Sequence, residues 1–106
     1  MFKEERRDFK KLEAKIAKIK DQKQKVEKLI ELGKFYFLNE KYDEAINKFK
    51  EAVKIDENNA EIYYNLGIVY ESKNLPEEAS QMYTKTLELN PGHKLASKHL
   101  EKIVGK

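Results

Sequence analysis

Residues 60–93 read AEIYYNLGIVYESKNLPEEASQMYTKTLELNPGH, and the punctuation of this stretch decides the fold. Lys73-Asn74-Leu75-Pro76 interrupts an otherwise helix-forming run, and Asn90-Pro91-Gly92 closes it. Pro76 suits the first turn of a helix, where its missing N–H costs nothing, and Asn74 can take the left-handed conformation that ends the helix before it. The stretch therefore reads as helix, turn and a second helix from Glu77 to Leu89. Working outward, Asn39-Glu40-Lys41 and Asp56-Glu57-Asn58-Asn59 bracket a matching helix from Tyr42 to Lys54, and a last helix runs from about Lys94 to Val104.

Laid over itself, the chain has one register. Leu32-Gly33 falls on Leu66-Gly67, Tyr36 on Tyr70, Glu44-Ala45 on Glu78-Ala79 and Phe49 on Tyr83, an offset of 34 residues. Small residues mark where the two helices of a hairpin approach closely, and the large ones fill the gaps beside them. From Phe2 to Leu38 there is no Pro and the only Gly is Gly33, so this segment is expected to be one long helix or two nearly collinear ones. In heptads, Phe9, Ile16 and Ile30 share one position and Leu12, Ile19 and Val26 the other, with Lys23 interrupting the first series.

A chain of 106 residues fits one domain. Its mean hydropathy is low, −0.85, yet six Tyr and five Phe supply apolar surface to bury, and the few Gly and Pro favour helix throughout. The chain has no Cys, which excludes disulfides, thiolate catalysis and Cys-based zinc sites. His93, in a turn, and His99, on the last helix, have no partner spacing for a metal or nucleophile and read as surface residues. Ser72, Ser80 and Ser97 lack a nucleophile-elbow context. Asp43-Glu44 and Glu77-Glu78 fall in first turns, where they complement the helix dipole. No enzymatic activity, cofactor, metal or small-molecule substrate is expected. MFKEERRDFKK lacks the apolar run of a signal peptide and no stretch approaches the roughly 20 apolar residues of a membrane span, so a soluble cytoplasmic protein is the expectation.

The 34-residue pattern resembles the tetratricopeptide repeat. The second copy presents Tyr63, Leu66, Gly67, Tyr70, Ala79, Tyr83 and Pro91 at the motif positions; the first presents Leu29, Leu32, Gly33, Tyr36, Ala45, Phe49 and Ala52, with Glu57 in place of the closing Pro. In the preceding register Lys11 and Lys15 would fall on the small Ala and the second aromatic, so residues 1–25 are not a third copy. The division is an amphipathic basic extension (1–25), two repeats (26–59 and 60–93) and a capping helix (94–106). The fold class is all-α, antiparallel helix-turn-helix repeats in a superhelix with a long N-terminal helix.

The resemblance implies an adaptor that holds a protein or peptide segment in a concave groove lined by the first helix of each repeat. The matching positions are Glu27, Ile30, Lys34, Phe37 and Leu38, then Glu61, Tyr64, Ile68, Glu71 and Ser72, with Asn65 on the border. Phe37 and Ile68 could equally pack against the terminal helices. The family's clamp for chaperone C-termini is not matched: only Asn65 is retained, while Ile30, Lys34, Leu95 and His99 replace its other residues. Residues 1–28 hold eleven Lys/Arg against six Asp/Glu. Three readings of this segment stay open: an intramolecular cover, a homo-oligomeric seam through Phe9, Leu12, Ile16 and Ile19, or a basic helix, bearing Phe2, Arg6 and Arg7, that docks on anionic membrane or nucleic acid.

Overall fold

A computed structural model describes residues 2–105, with side chains from Phe9 onward. Phe2, Arg6 and Arg7 therefore lie outside the described side chains. Among the described residues there are six helices and no strand: α1 (Phe2–Ala17), α2 (Gln22–Leu38), α3 (Tyr42–Ile55), α4 (Ala60–Ser72), α5 (Pro76–Leu89) and α6 (Lys94–Val104). Consecutive helices reverse direction and stack into a slab 42 × 31 × 17 Å, whose thinnest dimension is under two helix diameters.

The termini of these helices follow local chemistry. Asp21 and Asn59 cap α2 and α4 by accepting from the N–H groups of Gln24 and Glu61. α3 and α5 have no side-chain cap; they carry Asp43-Glu44 and Glu77-Glu78 in their first turns, and Pro76 opens α5. Asn74 is left-handed, φ 61°, as the turn requires. Glu40, 34 residues earlier in the equivalent turn, takes the same conformation at φ 59°. A glutamate there is strained where asparagine is tolerated. Glu40→Asn, which copies the second repeat into the first, should raise stability by about 0.5–1 kcal/mol in urea titration.

In each hairpin an aromatic ring lies across the glycine. A Cβ built on Gly33 would come within 2.5 Å of the Phe49 ring, and one on Gly67 within 2.5 Å of the Tyr83 ring. Phe49 and Tyr83 are essentially inaccessible, as are Ala45, Ala52 and Ala79. One core cluster runs from α1 to α4 and includes Ile62, Leu66 and Val69; a second joins Ala79, Tyr83 and Ala96 of α5 and α6.

The expectation of one helix, or two nearly collinear ones, over Phe2–Leu38 is overturned. The chain breaks at Lys18–Asp21, and α1 folds back along α2. Phe9 stacks on Tyr36 with centroids 4.4 Å apart and meets Phe35 edge-on at 5.7 Å. A straight 37-residue helix would be roughly 55 Å long, and would leave Phe9 and Ile16 in water. Folding back buries both, worth about 1.5–3 kcal/mol per side chain. No Gly or Pro marks the break; the Asp21 cap supplies the local signal and burial the driving force.

Glu13 ties α1 to both helices of the first repeat. Its carboxylate accepts from the Tyr36 hydroxyl and pairs with the Lys48 ammonium at 2.8 Å, while Lys48 also reaches Glu51 at 3.1 Å. Burial pulls the Glu13 pKa upward, but the bonds from Lys48 and Tyr36 outweigh it and hold the carboxyl below its ordinary value of 4.5. The lowered folded pKa means that this stabilisation is full above the unfolded value and is lost as pH falls through the folded one. Glu13→Gln should therefore cost about 0.5–1 kcal/mol near pH 7, and the difference should shrink as pH falls below the ordinary carboxylate range, followed by urea unfolding of both proteins at a series of pH values.

Candidate peptide-binding groove

α2 and α4 are the first helices of the two hairpins, and α6 continues their series. The 34-residue register carries Asn65 onto His99 and Glu61 onto Leu95, so the capping helix presents the face that the first helices present. The predicted groove residues fall on the first helices of the two hairpins. On α2, Glu27 and Lys34 are exposed, Ile30 is half-buried, and Phe37 is half-buried with its ring 5.6 Å from Tyr42 of α3. On α4, Tyr64, Asn65, Ile68 and Glu71 are all half-buried.

These residues do not share one hollow. Glu27 and Ile30 line a cleft with Ile55, Asp56 and Asn59 at the α3–α4 turn. Ile68 and Glu71 line a second with Ser72 and His99. Ile68 thus packs toward the capping helix, and Phe37 has Tyr42 of α3 beside its ring. Asn65 has a buried Nδ2 with no hydrogen-bond partner.

The α4–α6 end holds a polar–aromatic cluster that sequence reading missed. The Tyr83 hydroxyl donates to Glu71 Oε1 at 2.6 Å, and His99 Nδ1 lies 2.9 Å from the same oxygen. The Tyr83 and His99 rings stack at 5.2 Å, and Tyr64 lies 4.6 Å from the His93 ring. Burial, reinforced by the bond to Glu71, pushes the Tyr83 hydroxyl pKa well up; burial with the charges of Glu61 and Glu71 raises that of Tyr64. Both phenols stay neutral, and Tyr83 is a donor to Glu71. His93 and His99, read above as surface residues, are thus half-buried parts of the structure. His93 Nδ1 accepts from Ala96 N–H and caps α6, and His99 anchors α6 to α4. The alignment of His99 with Asn65 was the signal available in the sequence. The rings need the neighbouring helix before they have anything to contact.

Of the four predicted seam residues, Phe9 and Ile16 are buried in the core and Leu12 and Ile19 pack half-buried beside it. No described helix is long and apolar enough to cross a membrane.

The repeat geometry now meets the comparison that decides its lineage: one "TPR repeat" family model matches residues 33–74, and a "Tetratricopeptide repeat" model matches 60–93. The chain belongs to the tetratricopeptide-repeat family. As a tetratricopeptide-repeat protein it is a protein-interaction scaffold. Among known proteins, the protein O-mannosyl-transferase TMTC3 of Homo sapiens is 43% identical over 53 residues, 49% of this chain and 6% of that protein. A peroxisomal targeting signal receptor of Candida albicans is 37% identical over 60 residues, 57% of this chain and 10% of the receptor. The photosystem I assembly protein Ycf3 of Synechococcus is 35% identical over 68 residues, 61% of this chain and 39% of that protein. The chain thus spans a minor part of each of these relatives. Among solved structures, MamA superposes with a TM-score of 0.74 at 28% identity, over 76% of this chain and 47% of MamA. The APC/C hetero-tetramer Cut9-Hcn1, at 24% identity and a TM-score of 0.72 over 74% of this chain and 15% of that one, shares the fold alone.

Proposed function

We propose that this chain is an adaptor that binds an extended protein segment along the face formed by α2, α4 and α6, with α1 serving as an intramolecular cover. The observation that carries the reading is the state of Tyr64, Asn65 and Ile68. All three sit mid-face on α4, and each retains open surface although the cluster behind them is packed. Apolar side chains of a ligand would anchor on Tyr64 and Ile68. Exposed Glu27 and Lys34 border the first-repeat half and would set the charge preference along the segment. That the relatives include a peroxisomal targeting signal receptor supports a peptide ligand.

The burial of Phe9 and Ile16 supports α1 as a cover rather than as a surface-docking helix, because it withdraws two of the apolar groups that a membrane or a partner helix would need. The division into an extension (1–25), two repeats and a cap (94–106) follows the same reading.

The test is a random-peptide display selection against the intact chain, followed by affinity measurements of the enriched peptides on Lys34→Glu, Asn65→Ala and Ile68→Ala. Loss of binding with helicity retained supports the groove, and unchanged binding on all three moves the site elsewhere. Light scattering of the same samples reads the mass: a monomer agrees with α1 as a cover, and a dimer assigns Leu12 and Ile19 to a self-association seam.

A further inference from the structure

A second surface lies at the other end of the slab. The groove between α1 and α2 has Ile16 and Leu32 as its floor and Leu12, Ile19 and Phe35 as its open apolar edge; Phe35 is 48% exposed. Lys15, Lys28 and Glu31 form its rim.

The internal repeat shows what such a face does when it is covered. In the 34-residue register Lys28 corresponds to Ile62, Glu31 to Asn65 and Phe35 to Val69. Ile62 and Val69 are 0% and 1% exposed, in the core cluster with α2 and α3. The same side of α2 is thus shaped to receive a helix, yet it carries a charge where α4 carries isoleucine.

That substitution selects the occupant. A plain repeat helix would have to bury Lys28 against apolar side chains, which is costly without an anionic partner. The charged rim of this groove holds two lysines, Lys15 and Lys28, against one carboxylate, Glu31. Lys28 has Glu31 at 3.4 Å, but both are largely exposed and the pair is weak. A second copy of this chain docking through the same face would bring lysines against lysines. We infer that the α1–α2 groove is a docking site for an amphipathic helix of another protein, its apolar stripe on Leu12, Ile19 and Phe35 and its flanking Asp or Glu on Lys15 and Lys28. This site lies apart from the α2–α4–α6 face and stands whether or not that face binds peptide.

The experiment uses two synthetic helical peptides with the same leucine stripe, one flanked by Glu and one by Lys, titrated into the full chain and mapped by amide chemical shifts. The Glu-flanked peptide is expected to bind about tenfold tighter, to weaken as salt rises from roughly 50 to 200 mM, and to shift Leu12, Ile19 and Phe35. The double variant Lys15→Glu, Lys28→Glu should invert the preference, and the milder Lys15→Gln, Lys28→Gln should abolish it, while Lys34→Glu on the other face leaves it unchanged. Equal binding of the two peptides, no binding of either, shifts confined to α4 and α6, or a chain that dimerises through this groove each overturns the inference.

Discussion

Gly67→Ala is expected to destabilise the protein by about 1–3 kcal/mol, with the upper end favoured because the obstruction cannot move aside. The new Cβ would stand 2.5 Å from the Tyr83 ring, which is fully buried between α4 and α6. Tyr83 is held at its hydroxyl by Glu71 and on its face by His99, so the ring cannot rotate away without releasing the anchor of the capping helix. The substitution therefore acts on the packing of α4, α5 and α6 together. A domain of this size loses roughly 4–8 °C of melting temperature per kcal/mol, so a fall of about 5–20 °C should be seen by circular dichroism. Replacing Tyr83 by Leu in the same chain should recover part of it by vacating the space that the ring fills. No loss of melting temperature in Gly67→Ala would mean that the α4–α5 hairpin is looser than described.

Phe9→Ala is expected to release α1 from the repeats. Burying a phenylalanine in a packed core is worth about 3–5 kcal/mol against alanine, and Phe9 also contributes its stacking on Tyr36 and its edge contact with Phe35. The loss of global stability is capped by the free energy with which α1 docks, because a detached helix leaves α2–α6 standing. The signature is thus local: trypsin should cut at Lys10, Lys11 and Lys15 long before the rest of the chain, and amides of α1 should lose hydrogen-exchange protection while those of α4 and α5 keep it. Tyr36 loses its ring partner in this variant but keeps the hydroxyl bond to Glu13 only while α1 stays docked, so Phe9→Ala and Glu13→Gln should be non-additive. Uniform loss of protection across all six helices would instead make α1 an integral part of one cooperative unit.

The repeat was legible because its signals are local and doubled. Gly33 and Gly67, Ala45 and Ala79, and Phe49 and Tyr83 recur at one offset, and each has a packing role that depends only on its own hairpin. Asn74 and Pro76 ended one helix and opened the next through backbone preferences alone. The groove face was legible as a set of positions but not as a shape. Glu27 and Ile30 open into one cleft and Ile68 and Glu71 into another, since the division depends on where the α3–α4 turn and the capping helix fall.

The histidines mark the limit from the other side. His93 has a local partner in the Ala96 N–H, but nothing near His99 in the chain hints at one, because Glu71 and Tyr83 reach it only after α4, α5 and α6 have stacked. The N-terminal segment is the same case on a larger scale. The heptad positions of Phe9, Leu12, Ile16 and Ile19 established that α1 has an apolar face, but that pattern is satisfied equally by its own repeats or by another helix. By itself, then, the sequence determined the helical class, the 34-residue repeat, its close-packed glycines and its turns, all consequences of backbone preference and short-range side-chain size. Only the tertiary structure decided that α1 turns back at Lys18–Asp21 and that the capping helix is anchored on Glu71. Both depend on which apolar and charged groups meet across residues distant in the chain, and hydrophobic burial is non-directional until the partners have been chosen.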